Sequence, residues 1–170
     1  DPWYRFYFHD KSSFDYCRTV KDTKLEIKKF SNDDAEGYEK LLKISKDIFD
    51  IGFTQLSDKP FNSFWFMCKQ IPALIKLKAH LTVSQLVGRY LKNPKIRSAF
   101  SIHPLLVGGN PFNTTSIYAL IHYLERNWGV YFCMGGTGKI ITELKKLMLR
   151  QKIEIKLDID IKNVNIESGK

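Results

Sequence analysis

The sequence predicts an α+β chain: a β-hairpin first, a mainly helical body next, and a strand-turn-helix-strand piece at the end. Three observations carry that expectation. Aromatic residues crowd two arms around a polar turn near the start. Apolar residues in the middle recur at three- and four-residue spacing. The end passes from an aromatic run through Gly135-Gly136-Thr137-Gly138 into a helical pattern and then into strict alternation.

Trp3–Tyr16 reads as the hairpin, with Asp10-Lys11-Ser12-Ser13 as its turn, because aromatic side chains suit a half-buried pleated surface. Ser31 with Asp34 three residues on resembles a capping box. The helix behind it carries Tyr38, Leu41, Leu42, Ile48 and Phe49 on one face, and Gly52 loosens its end. Phe61, Phe64, Trp65, Phe66 and Met67 then cluster ahead of Pro72. Leu74, Ile75, Leu77, Leu81, Val83, Leu86 and Val87 follow, interleaved with Lys69, Lys76, Lys78, Arg89, Lys92, Lys95 and Arg97. This predicts two or three short helices broken near Pro72 and Pro94, since proline removes a helical N–H and clashes with the preceding turn.

Ser116 is placed to cap a helix whose Ile117, Leu120, Ile121 and Leu124 form one buried face. Gly129 ends it, Val130–Met134 is a short strand, and Gly135–Gly138 is a tight turn. Thr137 caps the next helix, which runs to about Gln151 with Ile140, Ile141, Leu144, Leu147 and Met148 inward. Ile153–Ile161 alternates apolar and charged residues as a half-exposed strand does, and Val164 and Ile166 suggest another.

A chain of 170 residues with 44% apolar and 14% aromatic content is long enough for a real core and unlike a disordered one. Its net charge of +9 suits nucleic acid, an anionic membrane surface or an anionic ligand. The lysines are nevertheless spread along the chain, as in a general compositional bias. They sit among Leu and Ile at helical spacing, which disfavours the contiguous basic stripe that nucleic acid requires. Cys17, Cys68 and Cys133 are widely separated and offer no metal-like spacing, so no metal is expected, and a reducing compartment is. Nothing reads as a signal peptide or a membrane span, so Asn113-Thr114-Thr115 is not expected to be glycosylated. Gly135-Gly136-Thr137-Gly138 lacks the dinucleotide spacing, and no phosphate-loop lysine follows it. The chain starts at Asp1 and stops just past strand-like residues, which predicts a fragment of a longer protein.

The segments HPLLVGGNPF, SIYALIHYLERNWGVYF and GGTG, in that order, resemble the bacterial-type phytoene desaturases, FAD-dependent carotenoid desaturases of the amine-oxidase-like flavoprotein group. DPWYRFYFHDKSSFDY, FSNDDAEGYEKLL and GFTQLSDKPFNSF extend the resemblance over nearly the whole chain. The resemblance implies that residues 1–134 form a substrate-binding and membrane-associating region, and that residues 135–170 return to a Rossmann-like FAD domain whose fingerprint lies elsewhere in the full-length protein. It implies a reaction that lengthens the conjugation of a long isoprenoid hydrocarbon, giving carotenes such as lycopene, with hydride passing to FAD in an apolar tunnel. The fragment alone is then expected to be inactive. Tyr131, Cys133, Phe112 and Leu106 would line the tunnel, and Gly135, Gly136 and Ile161 would lie by the cofactor. Phe64, Trp65, Phe66, Leu74 and Lys76 would touch the membrane, giving a cytoplasmic protein held peripherally at the inner face. The expected partners are the hydrocarbon, the membrane surface and a second copy of the protein, and not nucleic acid.

One departure bears on catalysis. Phe66 stands where many members of the family carry an acidic residue, and Lys69 stands at a basic position, so acid–base catalysis does not transfer to Phe66. Lys69, Arg97 and His103 remain as polar catalytic candidates, while Glu125 and Arg126, at the end of their helix, read as residues that make structural pairs rather than catalyse. The rival readings are a related flavoprotein acting on a C30 precursor or a pre-formed carotenoid, and a non-enzymatic basic module that binds lipid surfaces.

Overall fold

A computed structural model describes residues 2–55, 71–72 and 75–165, with the backbone alone over 53–55. Phe61, Phe64, Trp65, Phe66, Met67, Cys68, Lys69, Leu74 and Ile166 lie outside the described residues. The chain divides into two compact units, Asp1–Val130 and Tyr131–Lys170. The class is α+β, with a two-stranded antiparallel sheet and six α-helices among the described residues.

The hairpin forms as expected from its aromatic arms. Strands β1 (Tyr4–Tyr7) and β2 (Ser13–Tyr16) pair in the register Tyr4↔Tyr16 to Tyr7↔Ser13. Ser13 therefore belongs to a strand rather than to the turn, which spans 8–12 and is closed by Phe8 N–H donating to the Ser12 carbonyl. Helix α1 (Val20–Lys28), which the sequence reading did not mark, follows with Thr19 as its cap. Helix α2 (Asn32–Phe49) is capped by Ser31, whose Oγ accepts from Asp34 N–H at 3.2 Å. Asp34 does not complete the capping box. Its buried carboxylate accepts instead from the N–H groups of Lys92 and Asn93, each at 2.8 Å, tying the start of α2 to a distant loop. At Asp50 the helix widens into a π-helical turn, Asp50–Gln55, which contains Gly52.

Helix α3 (Val83–Tyr90) has a complete capping box between Thr82 and Gln85, and α4 (Pro94–Phe100) carries its proline at the first helical position, where no N–H is needed. Two 3₁₀ turns, His103–Val107 and Ser116–Ala119, lead to α5 (Leu120–Trp128). Thr115, not Ser116, caps the second turn; Ser116 Oγ donates to the Lys78 carbonyl at 2.8 Å.

The main core joins Phe14, Tyr16, Ile27, Tyr38, Leu41, Val83, Val87, Leu91, Ile96 and Phe100. Phe100 is its hub, with ring centroids 4.9 Å from Tyr38, 5.4 Å from Tyr16 and 5.7 Å from Phe14. Each such ring or aliphatic chain contributes about 1.5–3 kcal/mol when fully buried. A smaller cluster gathers Ile48, Leu77, Leu86 and Ala119.

Helix α5 reverses the face expected of it. Ala119, His122 and Glu125 are buried, while Ile117, Leu120, Ile121 and Leu124 are only half-buried. Glu125 is paired inside with Tyr4 and His103, which offsets the cost of its burial, whereas neither ring nitrogen of His122 has a hydrogen-bond partner among the described residues.

The second unit contains α6 (Thr137–Arg150). Gly136 occupies the cap position and no side chain caps the helix, so Thr137 is its first residue rather than its cap. Val130–Met134 and Ile153–Ile161 form no strand: a strand needs a neighbour for its backbone groups, and none pairs with them among the described residues. The expected inward face of α6 is open, with Ile141 67% and Leu144 50% exposed, because nothing in this unit packs against it.

Candidate functional site

The segment His103–Phe112 owes its path to its glycines. Gly108 adopts φ +72° and ends the first 3₁₀ turn, a conformation that a Cβ disfavours. Gly109 passes so close to Thr114 that a Cβ would lie 2.6 Å from Thr114 Oγ1. Asn110 Oδ1 accepts from Phe112 N–H at 2.8 Å, and Ser84 N–H donates to the Pro111 carbonyl at 3.0 Å, which fastens the loop to the start of α3. The result presents Leu105, Leu106, Val107 and Phe112 to solvent, each more than half exposed.

At the root of this loop, His103 turns inward. Its Nε2 lies 3.1 Å from Glu125 Oε2, and the Tyr4 hydroxyl donates to Glu125 Oε1 at 2.8 Å. A hairpin strand, a loop and α5 thus meet at one buried carboxylate. Burial, followed by the Glu125 contact, raises the Tyr4 hydroxyl above the usual phenol range, so it stays a donor. The His122 ring stands edge-on to His103 with centroids 4.1 Å apart, and is fully buried. Burial, and then the neighbouring His103, push His122 well below the ordinary histidine range; the Phe100 backbone acts in the opposite direction. His122 is therefore neutral near pH 7. Beside this chain, a cavity of about 10 Å³ is lined by Tyr4, Phe6, Phe14, Tyr16, Phe100 and His103, room for no more than one water.

Arg126, one residue beyond Glu125, is a cross-link. Nε donates to Tyr38 Oη at 2.7 Å, Nη1 to the Cys17 carbonyl at 2.7 Å and Nη2 to Thr23 Oγ1 at 2.8 Å. The guanidinium also stacks 4.2 Å from the Tyr16 ring centre. Glu125 and Arg126 each make cross-links to distant elements, with separate partners.

Arg97 lies elsewhere, on α4. It lines a groove of about 320 Å³ with Ser84, Ser98, Ser101, Ile102, Leu105, Pro111 and Phe112. The groove brings together two sequence candidates, Arg97 and Phe112. Leu106 sits on its neighbouring turn, and His103 is directed into the core instead. In the second unit, Tyr131 and Ile161 are 81% and 76% exposed and Cys133 is half-buried, so they enclose no tunnel within that unit. Gly135 and Gly136 take φ +89° and +83°, and a Cβ on Gly136 would meet nothing within 4 Å. The described residues of this unit therefore build no cradle for a dinucleotide cofactor. Lys76 is exposed, beside Asp47 and Asp50.

Sequence reasoning did not single out Tyr4 and His122. A signal existed for His122: it sits three residues from both Ala119 and Glu125, on the one face of α5 that carries a small residue.

No protein-family model matches the chain. Among curated proteins, it is 39% identical over 169 residues to the phytoene desaturase (lycopene-forming) of Pseudescherichia vulneris, covering 99% of this chain and 34% of that protein. It is 38% identical over 169 residues to the enzyme of that name from Pantoea ananas, covering 99% and 34%. It is 37% identical over 166 residues to that from a Paracoccus species, covering 98% and 33%. The chain thus spans about a third of the length of the relatives it matches. Over almost its entire length, it is homologous to a part of the bacterial-type phytoene desaturases.

Proposed function

We propose that the full-length protein carrying this chain is an oxidoreductase that desaturates phytoene, giving more conjugated carotenes such as lycopene. The observation that supports this most is the 37–39% identity, over nearly the whole chain, to three proteins named for that reaction. The site chemistry agrees with it. The substrate is a hydrocarbon without a functional group to grip, and the GGNPF loop offers apolar surface and closely approaching backbone rather than a nucleophile.

FAD in the full-length protein supplies the redox chemistry. The described residues form no cradle for it, so no step is assigned to Gly135, Gly136 or Ile161 beyond lying near it. The role proposed for this chain is to shape the hydrocarbon's path with Leu106 and Phe112, and with Tyr131 and Cys133 once these are covered in the full-length protein. His103 positions the loop root through Glu125 rather than transferring a proton, because it is 3% exposed and bonded to a buried carboxylate. Lys69 remains the polar candidate for the reaction and lies outside the described residues, whereas Arg97 stands in the groove beside the loop and is given no catalytic step.

No helix among the described residues is long and apolar enough to cross a membrane. Phe64, Trp65, Phe66, Leu74 and Lys76 are proposed to hold the protein peripherally at the cytoplasmic face of the bilayer. Anaerobic mixing of the FAD-loaded full-length protein with phytoene in liposomes tests the reading. Bleaching of the flavin band is expected; a flavin that stays oxidised while the protein is folded would count against phytoene as substrate.

A further inference from the structure

We propose that the Arg97 groove is a headgroup site for an anionic phospholipid, with the acyl chains running along Leu105 and Phe112. Four observations point there. Among the described residues, the Arg97 guanidinium has neither an ion pair nor a hydrogen-bonded acceptor, in a chain where Arg5 and Arg126 are both tied. Its fork lies over bare backbone: a Cβ on Gly88 would lie 2.8 Å from an Arg97 terminal nitrogen, so the guanidinium rests against the Gly88 position of α3. The hydroxyl-bearing residues around it, Ser84, Ser98 and Ser101, add neutral donors and no competing carboxylate. The rest of the lining is apolar, from Ile102, Leu105, Pro111 and Phe112.

A free guanidinium with hydroxyl donors matches a phosphate, which accepts the planar fork in a bidentate manner. An apolar wall continuous with that site matches a chain attached to the phosphate. The wall does not close over. Leu105, Leu106, Val107 and Phe112 are 62%, 64%, 56% and 69% exposed, and they project from the turn and loop that frame the groove. A cation beside a protruding apolar turn is the arrangement of an interfacial contact, with the cation at headgroup depth and the apolar tips in the acyl layer. That favours a lipid in a bilayer over a soluble phosphate ester. The inference rests on the proposed function for one point only, that Leu106 and Phe112 belong to the hydrocarbon's path; the path then opens at the membrane.

The test uses the full-length protein loaded with FAD and two vesicle preparations, phosphatidylcholine alone and phosphatidylcholine with phosphatidylglycerol. Co-sedimentation is measured for the parent, Arg97→Gln, Arg97→Lys and Ser98→Glu, the last placing a repelling charge on an exposed rim position. The parent is expected to prefer phosphatidylglycerol vesicles. Arg97→Gln and Ser98→Glu each lower that affinity about fivefold, the contribution of one surface cation, with melting temperatures unchanged. Arg97→Lys recovers part of the loss, and inorganic phosphate does not release the protein. Unchanged vesicle affinity in both Arg97→Gln and Ser98→Glu would overturn the site, and release by inorganic phosphate would identify a free-anion site instead. Phytoene conversion in detergent is read separately. Conversion without Arg97-dependent vesicle binding removes only the lipid site; Arg97-dependent binding without conversion removes only the proposed reaction.

Discussion

Full burial keeps the His122 ring neutral in the folded protein, and this links stability to pH. In the unfolded chain the ring titrates near 6.5, and in the folded protein well below that. Below about 6.5 the unfolded state therefore holds a proton that the folded state does not. The stabilisation is complete above that pH and is lost as pH falls through it. Between about pH 7 and about pH 5.5 the loss should be about 1 kcal/mol. Urea midpoints across that range should show it, and His122→Phe should flatten that part of the profile. A variant with an unaltered slope would assign the titration to another group. Arg126 is the second residue of consequence, because its fork holds Tyr38, Cys17 and Thr23 together. Arg126→Met should cost about 3 kcal/mol, since buried acceptors lose their donor. Arg126→Lys should recover less than half, because an ammonium cannot span the three partners. Chemical denaturation of both variants measures this.

At the scale of elements, α2 and α3 touch through backbone. A Cβ on Gly37 would overlap the Tyr90 carbonyl oxygen, so the space at Gly37 sets how close the two helices come. Gly37→Ala should destabilise by about 2 kcal/mol despite improving helix propensity, whereas an alanine with no cost would mean that the helices can part. The hairpin and α2 were legible in the sequence because aromatic arms and a capped apolar stripe are local signals. Helix α5 misled for a physical reason. Periodicity finds the apolar side, but the buried side is the one that carries small Ala119 and the His122 ring, and from which Glu125 and Arg126 reach distant partners. The strands expected at Val130–Met134 and Ile153–Ile161 rest on alternation alone, and alternation makes a strand only where a neighbour supplies hydrogen bonds. For the site, the HPLLVGGNPF block marked a loop that the structure places beside the Arg97 groove. It did not show that His103 turns inward to a Glu125–Tyr4 partner while Arg97 faces a groove, since both facts depend on contacts remote in sequence.

At the scale of the molecule, the second unit leaves the apolar face of α6 open, with Ile140, Ile141, Leu144 and Leu147 each more than 40% exposed. A contiguous apolar face of this kind drives association in water. Expressed alone, this chain should self-associate, and Ile141→Lys with Leu144→Lys should return it toward monomer in sedimentation velocity; a monomeric parent chain would mean that the face is covered from within. The central claim is that the full-length protein lengthens the conjugation of phytoene, and the most direct measurement is the absorbance of the product. The FAD-loaded full-length protein is incubated with phytoene in anionic liposomes and the visible spectrum is followed. Structured bands that move to longer wavelength as double bonds join the conjugated run are the predicted result, with the final position counting the bonds added. A colourless reaction, with flavin bound and vesicles engaged, would contradict the claim.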